Sequence, residues 1–503
     1  MVHSTLKLVL LASAVEDLER ELLARLHENN DAILQVVLRL LTQEVTPQSV
    51  FRFEEELAVA GRELLRLITE YTLNQLEPSD PDQMPKIIRW ECGEYRRESH
   101  KTPNGGVSTR FGNITLWRFP YRFRQRESEP AIFPLELLLG LVRGATPALA
   151  DAAARYMADT GASQGRVLER LKREHDVGWG AERLRAVTSE QAESMSSFRH
   201  QFQVARVLEW LQTAYDSRGK CKPVLAVGRD GISVCRQPQG YWEVASVATV
   251  TVYDRSGKRV GTIYLAQMPE SCQVELTKQL KQLICDILRG WQHPLPRLCY
   301  VTDAGENETQ FYRTVLRHLR DPHSPRRRLT WYRIVDYYHV AEYITTMADC
   351  LFGKNSASGQ AWARRMRKLL LKPNGPSRVL HSAAAMVAKR RRKMGQTKQR
   401  EFNKASNYIR TRTRFMDYHG FRQLRLPIGS GVTEAACKTV FTQRLKLSGM
   451  RWKESGGQAI LDLRVLLLSG VWEAVRDAML ASRKPLITVP PQQYIAENHQ
   501  IAA

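Results

Sequence analysis

Three carboxylates stand where side chains at a sheet edge would hold divalent cations. Asp230 follows Val224-Leu225-Ala226-Val227-Gly228-Arg229, and Asp303 follows Leu298-Cys299-Tyr300-Val301-Thr302. Both runs read as central strands, so each aspartate falls at or near a strand's carboxyl end with its side chain projecting from the sheet. Ala304-Gly305 then turns the chain tightly. Glu434 sits in the opening turn of a helix that begins near Val432, after Gly429-Ser430-Gly431, whose glycines permit close approach to the sheet. Mg²⁺ or Mn²⁺ takes a few carboxylates together with water and phosphate oxygens, and two such ions about 3.5–4 Å apart promote in-line phosphoryl displacement. The expectation is two ions per active site, with Asp230 and Asp303 holding both and Glu434 completing one. Taken singly, each acid has an ordinary alternative as a turn residue or a charge complementing a helix dipole. Their joint order argues for catalysis.

Asp336-Tyr337-Tyr338-His339 follows a further strand, Trp331 to Val335. Such an Asp-x-x-His pair can orient a catalytic carboxylate, position a scissile strand or contribute a metal ligand. Equally, Asp336 can cap a helix over a half-buried His339.

These residues need a scaffold. Strand-like runs at Val224–Val227, Trp242–Val252, Val260–Leu265, Leu298–Thr302 and Trp331–Val335 alternate with helical segments at Cys272–Leu288 and Glu308–Leu319. Hairpin-linked strands followed by helix-separated ones describe a mixed five-stranded sheet with helices on both faces, an α/β core of ribonuclease-H-like type. The expected organisation has a mainly α-helical N-terminal region at 1–78, with dimerisation an open role, and a small β-hairpin plus helix-turn-helix-like DNA-binding region at 79–200. The first part of the core then occupies 201–339, a basic α-helical insertion 340–425, closing helices with Glu434 426–480, and a C-terminal tail 481–503.

The chain has 75 Lys and Arg against 52 Asp and Glu, a formal charge of +23. That excess is self-repulsive unless a polyanion offsets it, and double-stranded DNA is the leading candidate. Lys389 to Arg400 holds seven basic residues in twelve. Within it Lys389, Arg390, Arg391, Arg392 and Lys393 are suited to following a phosphate backbone, or to forming a solvated helix face. Beyond Glu434, Arg444, Lys446, Arg451 and Trp452 are candidates to grip a flanking strand, or to cap and pack the helix. In the hairpin expected at Val107–Phe123, Arg118, Tyr121, Arg122, Phe123 and Arg124 are either DNA-facing or ordinary sheet residues. The eight cysteines, Cys92, Cys221, Cys235, Cys272, Cys285, Cys299, Cys350 and Cys437, are scattered singly. They read as buried thiols, with no zinc site. Leu8–Val15 continues into helix rather than reading as a signal peptide, and no apolar run suits a membrane helix. The expected setting is a DNA-containing compartment.

At these positions the chain resembles the DDE transposases of the bacterial insertion-sequence Kra group, within the Mutator-like superfamily. The matching pieces are Val227-Gly228-Arg229-Asp230-Gly231, Thr302-Asp303-Ala304-Gly305, Asp336-Tyr337-Tyr338-His339 continuing to Tyr343, and Gly429-Ser430-Gly431-Val432-Thr433-Glu434-Ala435-Ala436-Cys437-Lys438. Phe111-Gly112-Asn113 and Pro134 to Leu141 add to the likeness, which spans roughly residues 105–475. It implies that Asp230, Asp303 and Glu434 are the catalytic triad and that Asp336 and His339 belong to the superfamily's Asp/Cys-x-x-His signature. The substrates would be the terminal inverted repeats of a mobile element and a target DNA, acted on by a homodimer or higher oligomer in the bacterial cytoplasm, associated with the nucleoid. One departure is the lack of paired cysteines before the core. The rivals are a ribonuclease-H-fold nuclease or resolvase without strand transfer, and a domesticated DNA-binding protein.

Overall fold

Val224, Leu225, Ala226 and Val227 are all buried, which suits a strand covered on both faces. In the computed structural model they open β1 (Val224–Cys235), which pairs antiparallel with β2 (Trp242–Tyr253), itself antiparallel to β3 (Arg259–Gln267). After helix α1 (Val274–Gly290) comes β4 (Arg297–Thr302), parallel to β1. Helix α2 (Glu306–Thr314) then leads towards β5 (Trp331–Val335), parallel to β4. The spatial order is β5-β4-β1-β2-β3, a mixed five-stranded sheet. The structure describes residues 6–7, 15–91, 93–125, 129–238, 240–390 and 394–490.

Period-two alternation divides each central strand between two cores. Leu225, Val227, Leu298 and Tyr300 pack with the α1 stripe Leu276, Leu280, Leu283, Ile284 and Ile287, whose spacing is that of one helix face. Val224, Ala226, Cys299, Val301 and Ile334 instead join a cluster with Val340, Ile344, Trp362, Met366, Val379, Phe402 and Tyr418. Those partners come from α3 (Tyr337–Phe352), α4 (Ala357–Leu370), α5 (Gly375–Arg390), α6 (Gln396–Arg412) and α7 (Tyr418–Gln423). The segment expected to lose its β pattern is thus helical, and it covers one sheet face. The chain returns through Ile428, whose carbonyl accepts from the Tyr337 N–H, into α8 (Gly431–Ala436). A π-helical turn, Cys437–Thr442, and a short turn, Gln443–Leu445, follow before α9 (Glu454–Leu468).

Contacts divide the chain into two units, and this core lies in the one comprising Ala158–Gly161 and Met195–Val475. The other comprises Met1–Met157, Ala162–Ser194 and Arg476–Ala503. In it the N-terminal region is helical as expected, with Val15–Thr42 and then Pro47–Asn74, the latter started by a Thr46–Ser49 capping box and a proline in the first turn. The hairpin is present as Thr102–Thr109 paired with Gly112–Arg118. Beside it the structure adds a sheet absent from the sequence reading. Ile87–Trp90 and Gly93–Arg97 pair with each other, and Tyr121–Phe123 joins Gly93–Arg97. Ile487–Val489 pairs with Ile87–Trp90, so the expected C-terminal tail supplies a strand, Ile487 and Val489 being buried. Pro147–Ala158 and Gln164–His175 are helices, the second capped by Ser163. Ala181–Asp216 is one continuous helix. Among the described residues no helix is long and apolar enough to cross a membrane.

Candidate active site

Strand register, more than proximity in sequence, sets the aspartates together. β4 pairs with β1 from Arg297 opposite Val224 to Tyr300 opposite Val227, and three further residues set Asp303 at the level of Asp230. β4 pairs with β5 as far as Thr302 opposite Val335, so the next position sets Asp303 at the level of Asp336. Neighbouring strands lie about 4.8 Å apart, and the three aspartates share one row along the carboxyl edge of the parallel strands. The sequence placed Asp230 near its strand's end. In the structure the antiparallel partner β2 carries β1 on to Cys235, with Asp230 opposite Val247. Asp230 therefore marks the end of the parallel pairing, within a longer strand.

Glu434 is brought in by a close helix-to-strand approach. A Cβ on Gly228 would stand 2.0 Å from Thr433 Oγ1, so only glycine lets α8 lie this near β1. The Thr433 and Thr249 hydroxyls share a hydrogen bond of 2.8 Å. One turn beyond Glu434, the Cys437 thiol donates to Asp230 Oδ2 at 3.3 Å. Burial raises the Asp230 carboxyl above the usual aspartate range. Hydrogen bonds from Cys437 and the Gly231 N–H oppose this rise, while the negative charges of Asp303 and Glu434 add to it. Burial, then the neighbouring Asp230, likewise pushes the Cys437 thiol up. Asp230 and Asp303 are half-buried and Glu434 is exposed. Among the described residues none of the three is ion-paired with Lys, Arg or His. The set therefore has charge to neutralise and oxygens within reach of solvent.

Asp336 is different. It is 0% exposed, and its Oδ1 accepts the N–H groups of Tyr338 and His339 while Oδ2 accepts both the N–H and the hydroxyl of Ser430. This is the capping alternative the sequence left open. The Ser430 hydroxyl also lies 2.7 Å from Glu434 Oε1, so Asp336 anchors the loop that presents the third acid. His339 is half-buried, with Nδ1 3.6 Å from exposed Glu342 and its ring against Tyr343 and Tyr408. The Tyr408 hydroxyl donates to the Asp303 backbone carbonyl, which braces the turn from the α6 side.

One acid was missed. Glu308 is buried in the first turn of α2 with Oε2 against Gly305, where a Cβ would meet it at 2.4 Å. Burial raises its pKa, and the charges of Asp303 and Asp230 add to that while Arg229 opposes it. Its sequence signal, an acid in a helix's first turn, is the commonplace one of dipole complementation.

The expected DNA-contacting cations separate. Lys389 is exposed at the end of α5, whereas the Arg390 side chain and Arg391, Arg392 and Lys393 lie outside the described residues. Arg444 is 1% exposed, against the Trp452 ring at 5.2 Å, and burial lowers its pKa to about 10. It belongs to the interior, which corrects its reading as a surface grip. Trp452 packs as well: its indole donates to the Leu445 carbonyl and its backbone N–H to the Cys235 carbonyl. Lys446 lies over the Trp242 ring, and Arg451 is exposed. In the first unit Arg118 and Tyr121 are buried, Arg118 pairing with Glu136, while exposed Arg122 and Arg124 pair with Glu98 and Glu94.

Among the described residues no three His, Cys, Asp or Glu side chains close into a ready-made metal cage. Asp303 and Glu434 instead act on Asp230 across Coulombic range. In sequence comparisons the chain matches no known family and no characterised protein.

Proposed function

We propose that this chain is a DDE transposase with a ribonuclease-H-like core, cleaving the ends of a mobile element and joining them to target DNA with Mg²⁺ or Mn²⁺. The observation that carries the reading is the row of Asp230 and Asp303 with Glu434 beside it, uncompensated by cations in a chain of charge +23. The strand order, the helical segment between β5 and α8, and the motif resemblance support it. The donors fit hard cations: partly accessible carboxylates without a cationic partner, and no soft ligand other than the protonated Cys437. Asp230 and Asp303 would hold both ions and Glu434 would complete one site. When bound, the ions activate the attacking oxygen and stabilise the leaving oxygen of an in-line displacement.

The protein's own contribution is position. Parallel register fixes Asp230 on β1 and Asp303 directly after β4, the Gly228–Thr433 contact fixes the depth of α8, and Asp336 holds Ser430 and with it the entry to Glu434. Water at the site attacks a phosphodiester at the element's end, and the freed 3′-hydroxyl then attacks the target strand.

The test uses purified full-length chain, a duplex bearing the element's end, supercoiled target and Mg²⁺. Joined product that disappears with Asp303→Asn is expected. Cleavage without joining would point to a nuclease or resolvase, and unimpaired cleavage by Asp303→Asn would overturn the metal site.

A further inference from the structure

Helices α5 and α6 do not close on each other along their length. Between them lies an open cleft of about 870 Å³, within the size range of ligand sites. Its walls differ chemically. Leu380, Val387 and Phe402 give an apolar side, while Asn403, Asn407 and Arg410 give a polar one. Asn403 and Asn407 are one turn apart in mid-helix and exposed. Asparagine is a weaker helix former than alanine, so two on one stripe cost helix stability without burying anything. Asn403 accepts from Gln399 at 3.0 Å, and the Asn407 side chain has no hydrogen-bond partner among the described residues. The helix carries Lys398, Arg400, Lys404, Arg410 and Arg412 against the single acid Glu401.

This surface is tied to the carboxylates. Tyr408, next to Asn407, reaches the Asp303 carbonyl, and Arg412 donates to the Ala304 carbonyl at 3.3 Å. The amide stripe therefore begins within one helical turn of the Asp303 loop and leads away from it.

We propose that the cleft takes an unpaired base of the DNA strand held at the carboxylates. The inference rests on the reading of the chain as a DNA-processing enzyme. An apolar wall suits the face of an unstacked base, paired amides suit its hydrogen-bonding edge, and the cations suit the phosphates on either side. A fully paired duplex presents none of its base faces and is too wide to enter a cleft between two packed helices. Lys404 and Arg410 contribute sequence-independent attraction, and Asn403 and Asn407 select the unpaired state.

The experiment measures binding of the full chain by fluorescence anisotropy, without divalent cation, to a labelled duplex and to the same duplex with a short unpaired fork. The parent is expected to prefer the fork by roughly tenfold, the order of one stacked base. Asn403→Ala/Asn407→Ala, with a parental circular dichroism spectrum, is expected to lose that preference while binding the paired duplex as before. Lys404→Ala should weaken both probes alike and flatten their salt dependence. Equal binding of the two probes by the parent, or a fork preference that survives in the double variant, would overturn the cleft assignment. Metal-dependent cleavage by a parent lacking fork preference would remove the cleft and leave the proposed function standing, whereas binding to neither probe would remove both.

Discussion

The two sheets treat their acids in opposite ways. In the first unit Glu94 lies between Arg89 and Arg124 at 2.7 and 2.9 Å, Arg122 pairs with Glu98, and Arg118 pairs with Glu136 at 2.6 Å. In the second, Asp230, Asp303 and Glu434 face one another without an arginine, although the chain has 75 Lys and Arg to spend. Paired acids are the pattern of a self-sufficient sheet, while unpaired, partly accessible ones keep their charge for something that arrives from outside. Glu77 of the first unit sharpens the rule. Its carboxyl is 1% exposed, and burial pushes its pKa up to about 7 despite Lys101 and Arg118 nearby. A raised pKa alone therefore does not mark a site; access must accompany it.

The largest test of this contrast is loss of activity. Asp230→Asn, Asp303→Asn and Glu434→Gln should each lower metal-dependent DNA cleavage by at least about a thousandfold, a matter of several kcal/mol in the transition state. Glu94→Gln should leave cleavage unchanged, and a comparable loss there would erase the distinction between the sheets.

Next in size is a pH effect from Glu77. Its folded pKa is raised, so its contribution is fully present below the ordinary value of 4.5 and is lost as pH rises to about 7. Thermal melts of the parent should fall by several degrees, roughly, across that window relative to Glu77→Gln, which should show no such step. Identical profiles would mean that the carboxyl is not buried as described.

A smaller effect of the same sign belongs to Asp230. With metal chelated, the parent should lose stability relative to Asp230→Asn as pH rises above the ordinary aspartate value of 3.8, because the fold favours the protonated form. Divalent cation should close the gap, and a gap indifferent to cation would count against the site. Smallest of all, Arg124→Ala at the exposed Glu94 pair should shift the melting temperature by no more than about a degree.

The core strands were legible because buried parallel strands announce themselves: Leu298–Val301 is apolar throughout, and Asp303 ends it. Register was not stated in advance, yet it follows from the same boundaries once the strands are known to be parallel. What escaped was non-local. Ile487–Val489 pairs with Ile87–Trp90 across almost the whole chain, a partnership that no local pattern encodes. Ile87–Trp90 is only four residues long and Gly93–Arg97 is rich in charge, which hides them as strands. Arg444 was misplaced because cations are expected at surfaces, and a guanidinium under Trp452 has no signature in sequence. Cys437 was recognised as a buried thiol, but its contact with Asp230 depends on how α8 lies on β1.

That lie of α8 makes Gly228 a spacer of zero thickness. The helix rests on the strand through the Thr433 side chain at Gly228, so one methyl group is the smallest shim that can be slipped beneath it. Gly228→Ala would keep all three acids and their chemistry, yet lift Thr433 and with it Glu434 away from Asp230. The gap between acids is thereby set by an absent atom, and the proposed cleavage would be detuned by geometry alone, without touching a carboxylate.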